Sequence, residues 1–352
     1  MLHLIINISN GHHRTKNFFN KIEQILLLFT NTIQQNFSQH EIFNIFVKSK
    51  RLLLFIFDQK LIIPDTYVME RFFSKCISED NPQYIFECYP QYFYPEIKDF
   101  YDKLMAKEDK ISFSSDCDGI YPGSLEFLGN LTFSESFQFF KDSFLEYFIQ
   151  YADNQIRSNL IISDEFLTNR KTGENDQKIC QLIREDQLNE FIAYISQENV
   201  PIDFEIEPSI FETNCFISKS YNYFSLIDYS AFCGSLNIFK YLLTNNAELT
   251  DSVWLYAIHG KNLCYAYFGS NAEIIHLIEE QNLEPEDEIF EKCYYEAIKC
   301  FHYEIAEYIK NNYFSKPNDE KYYELIIKNS NYSLLTADLC KRKKIICVIL
   351  QV

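Results

Sequence analysis

Glycine, proline and tryptophan are scarce in this chain of 352 residues, which holds 8 glycines, 9 prolines and 1 tryptophan. So few glycines argue against a phosphate-binding glycine loop, and so few helix-breaking residues favour an all-helical fold. Long apolar runs are also missing. The best candidate, residues 52–57, stops at Asp58 and is far shorter than the about 20 residues that cross a bilayer. Residues 1–8 lack a basic leader and a cleavage site, so we expect no signal peptide.

Acidic residues outnumber basic ones. The chain has 50 Asp and Glu but 32 Lys and Arg, which gives a formal net charge of −18. This charge repels nucleic-acid phosphates and anionic membranes, so we expect neither as a partner. A basic protein surface would be attracted to it. The simpler alternative is that the acidity only keeps the protein in solution.

Paired cysteines are absent too, since none of the 11 cysteines forms a Cys-x-x-Cys motif. Scattered cysteines in a large acidic chain predict buried, reduced thiols and a cytoplasmic location. Cys293, Cys300 and His302 come nearest to a set of metal ligands, but their spacing favours packing in a helical core. We therefore expect no metal and no cofactor.

The clearest positive signal is a pair of short helices predicted over residues 225–246. Ser225 is typical of a helix N-cap, Gly234 of the left-handed residue that ends a helix, and Asn245-Asn246 of the end of the second helix. Small and apolar residues recur at helical spacing between them; they are Leu226, Ile227, Ser230, Ala231, Ile238, Phe239, Leu242 and Leu243. Such a pair cannot bury its apolar faces alone, so neighbouring copies must stack on it. An ordinary helix hairpin in a bundle is the alternative.

Weaker copies flank this pair. Upstream, residues 179–195 predict two helices interrupted at Glu185-Asp186. Downstream, residues 252–260 match the first helix, 272–278 match the second, and 293–309 form a further copy. An extra segment at 263–270 should bulge without breaking the stack, because added loop length costs little. We predict that three alanines occupy equivalent positions on successive first helices; they are Ala231, Ala257 and Ala297.

This pattern resembles the ankyrin repeat, whose period is about 33 residues, against about 30 here once the insertion is subtracted. It is similar in particular to the large ankyrin proteins of trichomonad-type protists, which carry an uncharacterised helical N-terminal region. The segments that carry the resemblance are 179–186, 208–214, 225–243 and 254–260. The resemblance implies a solenoid that binds other proteins, and no specific activity. It also implies that His259 and His276 bond the backbone in a structural role.

We predict an all-α protein in four parts. They are a helical N-terminal domain (1–150), a polar linker (151–178), degenerate ankyrin repeats (179–328) and an atypical C-terminal tail (329–352). Helical periodicity in the first part covers residues 18–29, 42–57, 67–77 and 137–151. The aromatic connection at 89–95 is expected to pack as a loop on the core, with an exposed binding patch as the alternative. The basic run at 341–344 leaves a nuclear location open.

The predicted function is a non-catalytic module that binds another protein. The net negative charge of the chain favours a partner with a basic surface. One alternative is an adaptor whose N-terminal domain recruits ubiquitin-ligase machinery. Another is an enzyme with a site in residues 1–150, although no nucleophile, metal or phosphate motif occurs. An Asp116-Cys117-Asp118 start of a calcium loop lacks the later oxygen ligands. Repeat geometry selects eight candidate partner contacts: Tyr221, Asn222, Tyr223, Glu248, Asp251, Glu284, Glu286 and Asp287.

Overall fold

The computed structural model describes residues 1–11, 17–65, 67–69, 91–107, 163–218, 224–260, 270–281, 287–314, 318–332 and 334. These residues are mostly helical, which confirms the all-α prediction. The chain divides into two compact units. One unit joins Met1–Leu61 to Gly173–Val352, and the other is Ile62–Thr172.

The helices of the opening segment are α1 (Leu2–Gly11), α2 (Phe18–Asn36), α3 (Gln39–Phe46) and α4 (Lys50–Asp58). The second unit contains α5 (Tyr94–Lys107) and α6 (Asp164–Thr172). After Gly173 come α7 (Lys178–Arg184), α8 (Leu188–Gln197), β1 (Glu205–Ile206), α9 (Cys215–Ser218), β2 (Phe224–Ser225), α10 (Leu226–Cys233) and α11 (Leu236–Thr244). The last helices are α12 (Ser252–His259), α13 (Ser270–Glu280), α14 (Asp287–Lys299), α15 (Tyr303–Asn312) and α16 (Asp319–Lys328).

The opening segment differs from the prediction in one place. The apolar stretch at 42–57 forms two helices, because the backbone turns after Phe46 before α4 begins at Lys50. Helix α3 begins with a capping box, in which Ser38 and Glu41 satisfy each other's backbone N–H groups. The expected helix at 137–151 lies outside the described residues, and of 67–77 only 67–69 are described, as helix.

The described part of the Ile62–Thr172 unit contains a buried arginine, Arg170. Arg170 is 2% exposed, pairs with Glu96 (Nη2 to Oε2, 2.7 Å) and lies over the rings of Tyr92, Phe93 and Phe166. The Tyr92 hydroxyl donates to the Arg170 carbonyl at 2.7 Å. Tyr92 and Phe93 are buried against the core, as predicted, but Gln91 and Tyr92 are helical and Tyr94 begins α5, so the segment is not a loop there.

In the described part of the chain after Gly173, consecutive helices contact each other in pairs. Within pairs, α7 contacts α8, α10 contacts α11, α12 contacts α13 and α14 contacts α15. The first helices contact one another in the order α7, α10, α12, α14, α16, and the second helices in the order α8, α11, α13. One apolar core runs through all of these pairs and buries Ala231 and Leu242, as predicted. The two-residue strands β1 and β2 pair antiparallel just before α10, with Glu205 opposite Ser225.

Four of the five first helices end in the same turn, whereas Gly260 after α12 is extended (φ −66°, ψ −151°). The residue after the helix is left-handed at Asp186, Gly234, Phe301 and Ser330, with φ between 51° and 67°. The next N–H then bonds five residues back; these bonds are Gln187 to Leu182, Ser235 to Ser230, His302 to Ala297 and Asn331 to Ile326, at 2.8 to 3.0 Å. This is the Schellman motif, which satisfies carbonyls that a helix end leaves without partners. Gly234 was predicted for this role, whereas the other left-handed positions carry ordinary residues.

Side chains after three of these turns bond a carbonyl in the preceding helix pair, and we call these three bonds the inter-pair ladder. Ser235 Oγ donates to the Ile183 carbonyl. His302 Nδ1 donates to the Ile258 carbonyl at 2.7 Å, and Asn331 Nδ2 donates to the Ile298 carbonyl at 2.9 Å. The acceptors Ile183 and Ile298 both lie three residues before a left-handed residue, so the ladder repeats in register.

This register corrects the predicted alignment of alanines. The Schellman bonds align Ala297 with Ser230, and the ladder aligns Ile258 with Ile298. Ala257 therefore matches Ala297 and Ser230, while Ala231 lies one position later. All three alanines are buried. Ser230 and Ala231 are both small, so residue size alone could not show which of them matches Ala257 and Ala297.

The domain division also differs from the predicted one. Residues 1–61 group with the helix pairs rather than with a separate N-terminal domain. The predicted linker contains α6 and the buried Asn175, whose side chain donates to the Glu207 carbonyl at 3.2 Å. In the described part of this segment, Asn175 and Arg170 are therefore buried polar residues, whereas most of its other polar residues are exposed. At the other end, Asn331 completes the turn after α16, so repeat geometry extends three residues beyond 328.

Within the described ranges, no helix is both long and apolar enough to cross a membrane. Most of the insertion, at 263–269, and the tail from 335 onward lie outside the described residues.

Candidate functional site

Two of the predicted contact residues lie on one exposed connection between α11 and α12. Glu248 and Asp251 are both exposed, and the Glu248 N–H donates to Asp203 Oδ1 at 3.1 Å. Asp203 is exposed as well, and none of these three carboxylates has a basic partner within the described part of the chain. They form a negatively charged surface, which we call the acidic edge.

The other predicted contacts cannot be placed as side chains. Asp287 is the first residue of α14, and its side chain is not described. The remaining five lie outside the described residues; they are Tyr221, Asn222, Tyr223, Glu284 and Glu286.

A buried cluster of His259, Glu296 and Cys300 joins α12 to α14. His259 Nδ1 lies 2.9 Å from Glu296 Oε1 and 3.2 Å from Cys300 Sγ, and Sγ lies 4.0 Å from Oε1. Lys299 Nζ pairs with the second carboxylate oxygen, Oε2, at 2.7 Å. The ring of Phe216 stacks on the imidazole with centroids 4.1 Å apart.

The cluster corrects the expectation that His259 bonds the backbone, a role that His302 fills instead. Burial raises the pKa of Cys300 well above that of an ordinary thiol, and the Glu296 carboxylate adds to the shift. Burial also disfavours the charged form of Glu296, but His259 and Lys299 outweigh that effect and lower its pKa to about 2.

The geometry does not resemble a Cys–His–acid relay. In such a relay the thiol and the carboxylate use opposite ring nitrogens, because one nitrogen accepts the thiol proton while the other is held by the acid. Here both groups approach Nδ1. Three ligand types of the kind that bind transition metals nevertheless converge, all within 4.8 Å of one another.

Sequence reasoning missed this cluster because it joins two helices that are distant in the sequence. It paired Cys300 with His302, whereas the backbone turn directs His302 toward the Ile258 carbonyl. One local signal was present: Glu296 and Cys300 lie four residues apart and therefore on one face of an otherwise apolar helix.

A second buried polar network surrounds Arg184 on α7. Its Nε pairs with Glu174 at 3.0 Å, and its Nη1 donates to the Asn175 carbonyl at 2.8 Å and to the Tyr229 hydroxyl at 3.0 Å. Burial raises the pKa of Tyr229 well above its ordinary value. The adjoining cavity of about 20 Å³ has room for about one water, far less than a small-molecule site needs.

A groove of about 150 Å³ lies between α13 and α15. Its lining residues are Ala272, Ile275, His276, Glu304, Ile305 and Tyr308. It could seat one apolar side chain, since an engineered cavity of that volume takes a benzene ring. Nearby, the Tyr308 and Tyr313 hydroxyls both donate to Glu279 Oε1, at 2.5 and 2.7 Å.

No protein-family model, curated protein or solved structure matches this chain. The ankyrin resemblance therefore stays a prediction that rests on the residues themselves.

Proposed function

We propose that residues 179–328 form an ankyrin-type solenoid that acts as a non-catalytic protein-interaction module. The observation that supports this most is the inter-pair ladder. Each ladder bond joins a pair only to the pair before it, and repeat solenoids are arrays in which each unit contacts only its neighbours. The short β1–β2 pairing before α10 fits a loop that projects from such an array.

The acidic edge is the proposed contact surface for the partner. Asp203 and Glu248 are held next to each other by the backbone bond between them, and Asp251 follows on the same connection. Like charges held together without a basic neighbour favour a basic surface on the incoming protein. The formal charge of −18 supports the same class of partner over nucleic acid.

The test is an association-rate measurement on a partner isolated by affinity capture and then purified. Glu248→Lys with Asp251→Lys should slow association about tenfold at low ionic strength, and added salt should shrink the difference. The matched control is Asp58→Lys with Glu165→Lys, which changes the net charge equally at exposed positions outside the repeats.

The control should leave the association rate within about twofold of the parent. A partner whose association ignores both salt and the Glu248 and Asp251 substitutions would exclude the acidic edge as the contact surface. Turnover of a small molecule by the purified protein would overturn the non-catalytic role.

A further inference from the structure

The cluster of His259, Glu296 and Cys300 has the composition and spacing of a metal site. Zinc binds imidazole nitrogen and carboxylate oxygen at about 2.0–2.2 Å and thiolate sulfur at about 2.3 Å, in a tetrahedron. Those bond lengths place the sulfur about 3.6 Å from the nitrogen and from the oxygen, and the nitrogen about 3.4 Å from the oxygen. The observed separations are 3.2, 4.0 and 2.9 Å, each within about 0.5 Å of the tetrahedral value.

We propose that His259 Nδ1, Glu296 Oε1 and Cys300 Sγ bind one divalent transition-metal ion of the zinc class. A mixed set of nitrogen, oxygen and sulfur ligands suits zinc better than magnesium or calcium, which take oxygen ligands. The thiolate and the carboxylate together balance the two positive charges of the ion. Three protein ligands leave the fourth position of the tetrahedron to a water molecule.

The surroundings hold the ligands in place. Lys299 occupies Glu296 Oε2, so the other oxygen, Oε1, faces the imidazole and the thiol. Outer partners of this kind orient metal-binding carboxylates in known sites. The Phe216 ring, parallel to the imidazole within 12°, fixes the plane of His259.

Burial decides by which path a metal ion can reach the cluster and which protons must leave the ligands when it binds. The Glu296 side chain is 14% exposed against 3% for His259, so an ion would enter past the carboxylate. The Cys300 thiol is protonated in the metal-free protein, because burial raises its pKa. As the metal bonds form, the Cys300 thiol proton passes to the buffer, and the proton that His259 Nδ1 donates to Glu296 moves from Nδ1 to Nε2 or to the buffer.

The test is a titration of the purified, metal-free full-length protein with Co²⁺, a spectroscopic probe for zinc sites. We expect one equivalent to bind, to give a thiolate-to-cobalt charge-transfer band and to be displaced by Zn²⁺. Cys300→Ser should abolish that band, and His259→Gln should weaken binding at least about tenfold.

The chain offers matched controls in Cys293 and His302. Cys293 is another buried cysteine on α14, and His302 is another buried histidine, yet neither belongs to the cluster. Cys293→Ser and His302→Gln should therefore keep the band. Far-ultraviolet circular dichroism checks that each variant folds.

Absence of a thiolate band in the parent protein with Co²⁺ in excess would overturn the proposal, whether or not the variants fold. Loss of the band in Cys293→Ser with retention in Cys300→Ser would overturn it as well. Either result would leave the His259–Glu296 contact as a structural hydrogen bond, and the protein-binding proposal does not depend on the outcome.

Discussion

In the two capping boxes at α3 and α10, the pKa of the acidic residue shifts in opposite directions. At α3, Glu41 is fully exposed, and its hydrogen bonds to Ser38 lower its pKa. At α10, Asp228 makes the same bonds to Ser225 but is 5% exposed. Burial outweighs those bonds and raises the pKa of Asp228 to about 6. Desolvation, not the cap itself, decides the sign of the shift.

The raised pKa predicts a pH-dependent stability that Asp228→Asn removes. Because the folded-state pKa of about 6 exceeds the about 4 of an unfolded aspartate, the folded protein binds this proton more readily. The contribution to stability is therefore greatest below about pH 4 and is lost as the pH rises through 6. The loss amounts to about 3 kcal/mol.

Denaturant unfolding at a series of pH values, followed by the fluorescence of the single tryptophan, Trp254, would measure this effect. Trp254 is buried in the repeat core and reports on that region. The difference in unfolding free energy between the parent and Asp228→Asn should change between pH 4 and 6. A difference that stays constant across that range would contradict the assignment. Glu41→Gln is the comparison with an exposed acid, and because the pKa of Glu41 is lowered, its difference should change in the opposite direction.

At the scale of helices, the inter-pair ladder accounts for polar residues in an otherwise apolar interface. Ser235, His302 and Asn331 are all nearly fully buried, and each donates to a carbonyl of the preceding pair. A buried polar group without a partner costs free energy, so these residues and their acceptors depend on one another.

Asn331→Ala tests one link of the ladder. The substitution removes the amide bond to the Ile298 carbonyl, which keeps its bond from the Phe301 N–H, and it also removes the acceptor of the Tyr303 hydroxyl. We expect the free energy of unfolding to fall by about 1–3 kcal/mol. The matched control is Asn329→Ala, which removes an amide bonded only within α16, to the Leu325 carbonyl. Equal losses in the two variants would show that the inter-pair bond adds nothing specific.

The sequence alone predicted the parts of this architecture that depend on neighbours along the chain. Ser225 as a cap, Gly234 as a left-handed residue and Asn246 at a helix end were all confirmed, because turn chemistry is local. The alanine register was missed because Ser230 and Ala231 are both small, and only the Schellman bond distinguishes them. The His259–Glu296 contact was missed because it depends on how two pairs stack.

At the scale of the whole molecule, the opening segment is part of the unit that contains the helix pairs. Helix α1 contacts α9, and Lys50 at the start of α4 donates to the Ile210 carbonyl at 3.1 Å. Thr213 bonds the Gly173 carbonyl at 2.8 Å, so the segment between α8 and α10 is held from two directions. These contacts join residues that are far apart in the sequence, and they produce no repeated sequence pattern. Residues 1–61 were therefore assigned to a separate domain from the sequence alone.

Lys50→Met tests this connection, because it keeps the apolar stem of the side chain and removes the donor to Ile210. We expect faster amide hydrogen exchange in residues 209–213, with a loss of about 1–3 kcal/mol in the local opening free energy. Lys48→Met is the matched control, since Lys48 is exposed and only two residues away. If exchange in 209–213 is the same in both variants, the opening segment does not support that loop.

The inter-pair ladder also affects how the number of helix pairs in this protein can increase or decrease. Two of the three links share one format, a donor just after a left-handed residue and an acceptor three residues before the preceding left-handed residue. A deletion from Ser235 to Phe301 would join Gly234 to His302 and offer the imidazole the Ile183 carbonyl that Ser235 had used. We therefore expect that a deletion or insertion beginning and ending at these turns can change the number of helix pairs while keeping a donor opposite each acceptor.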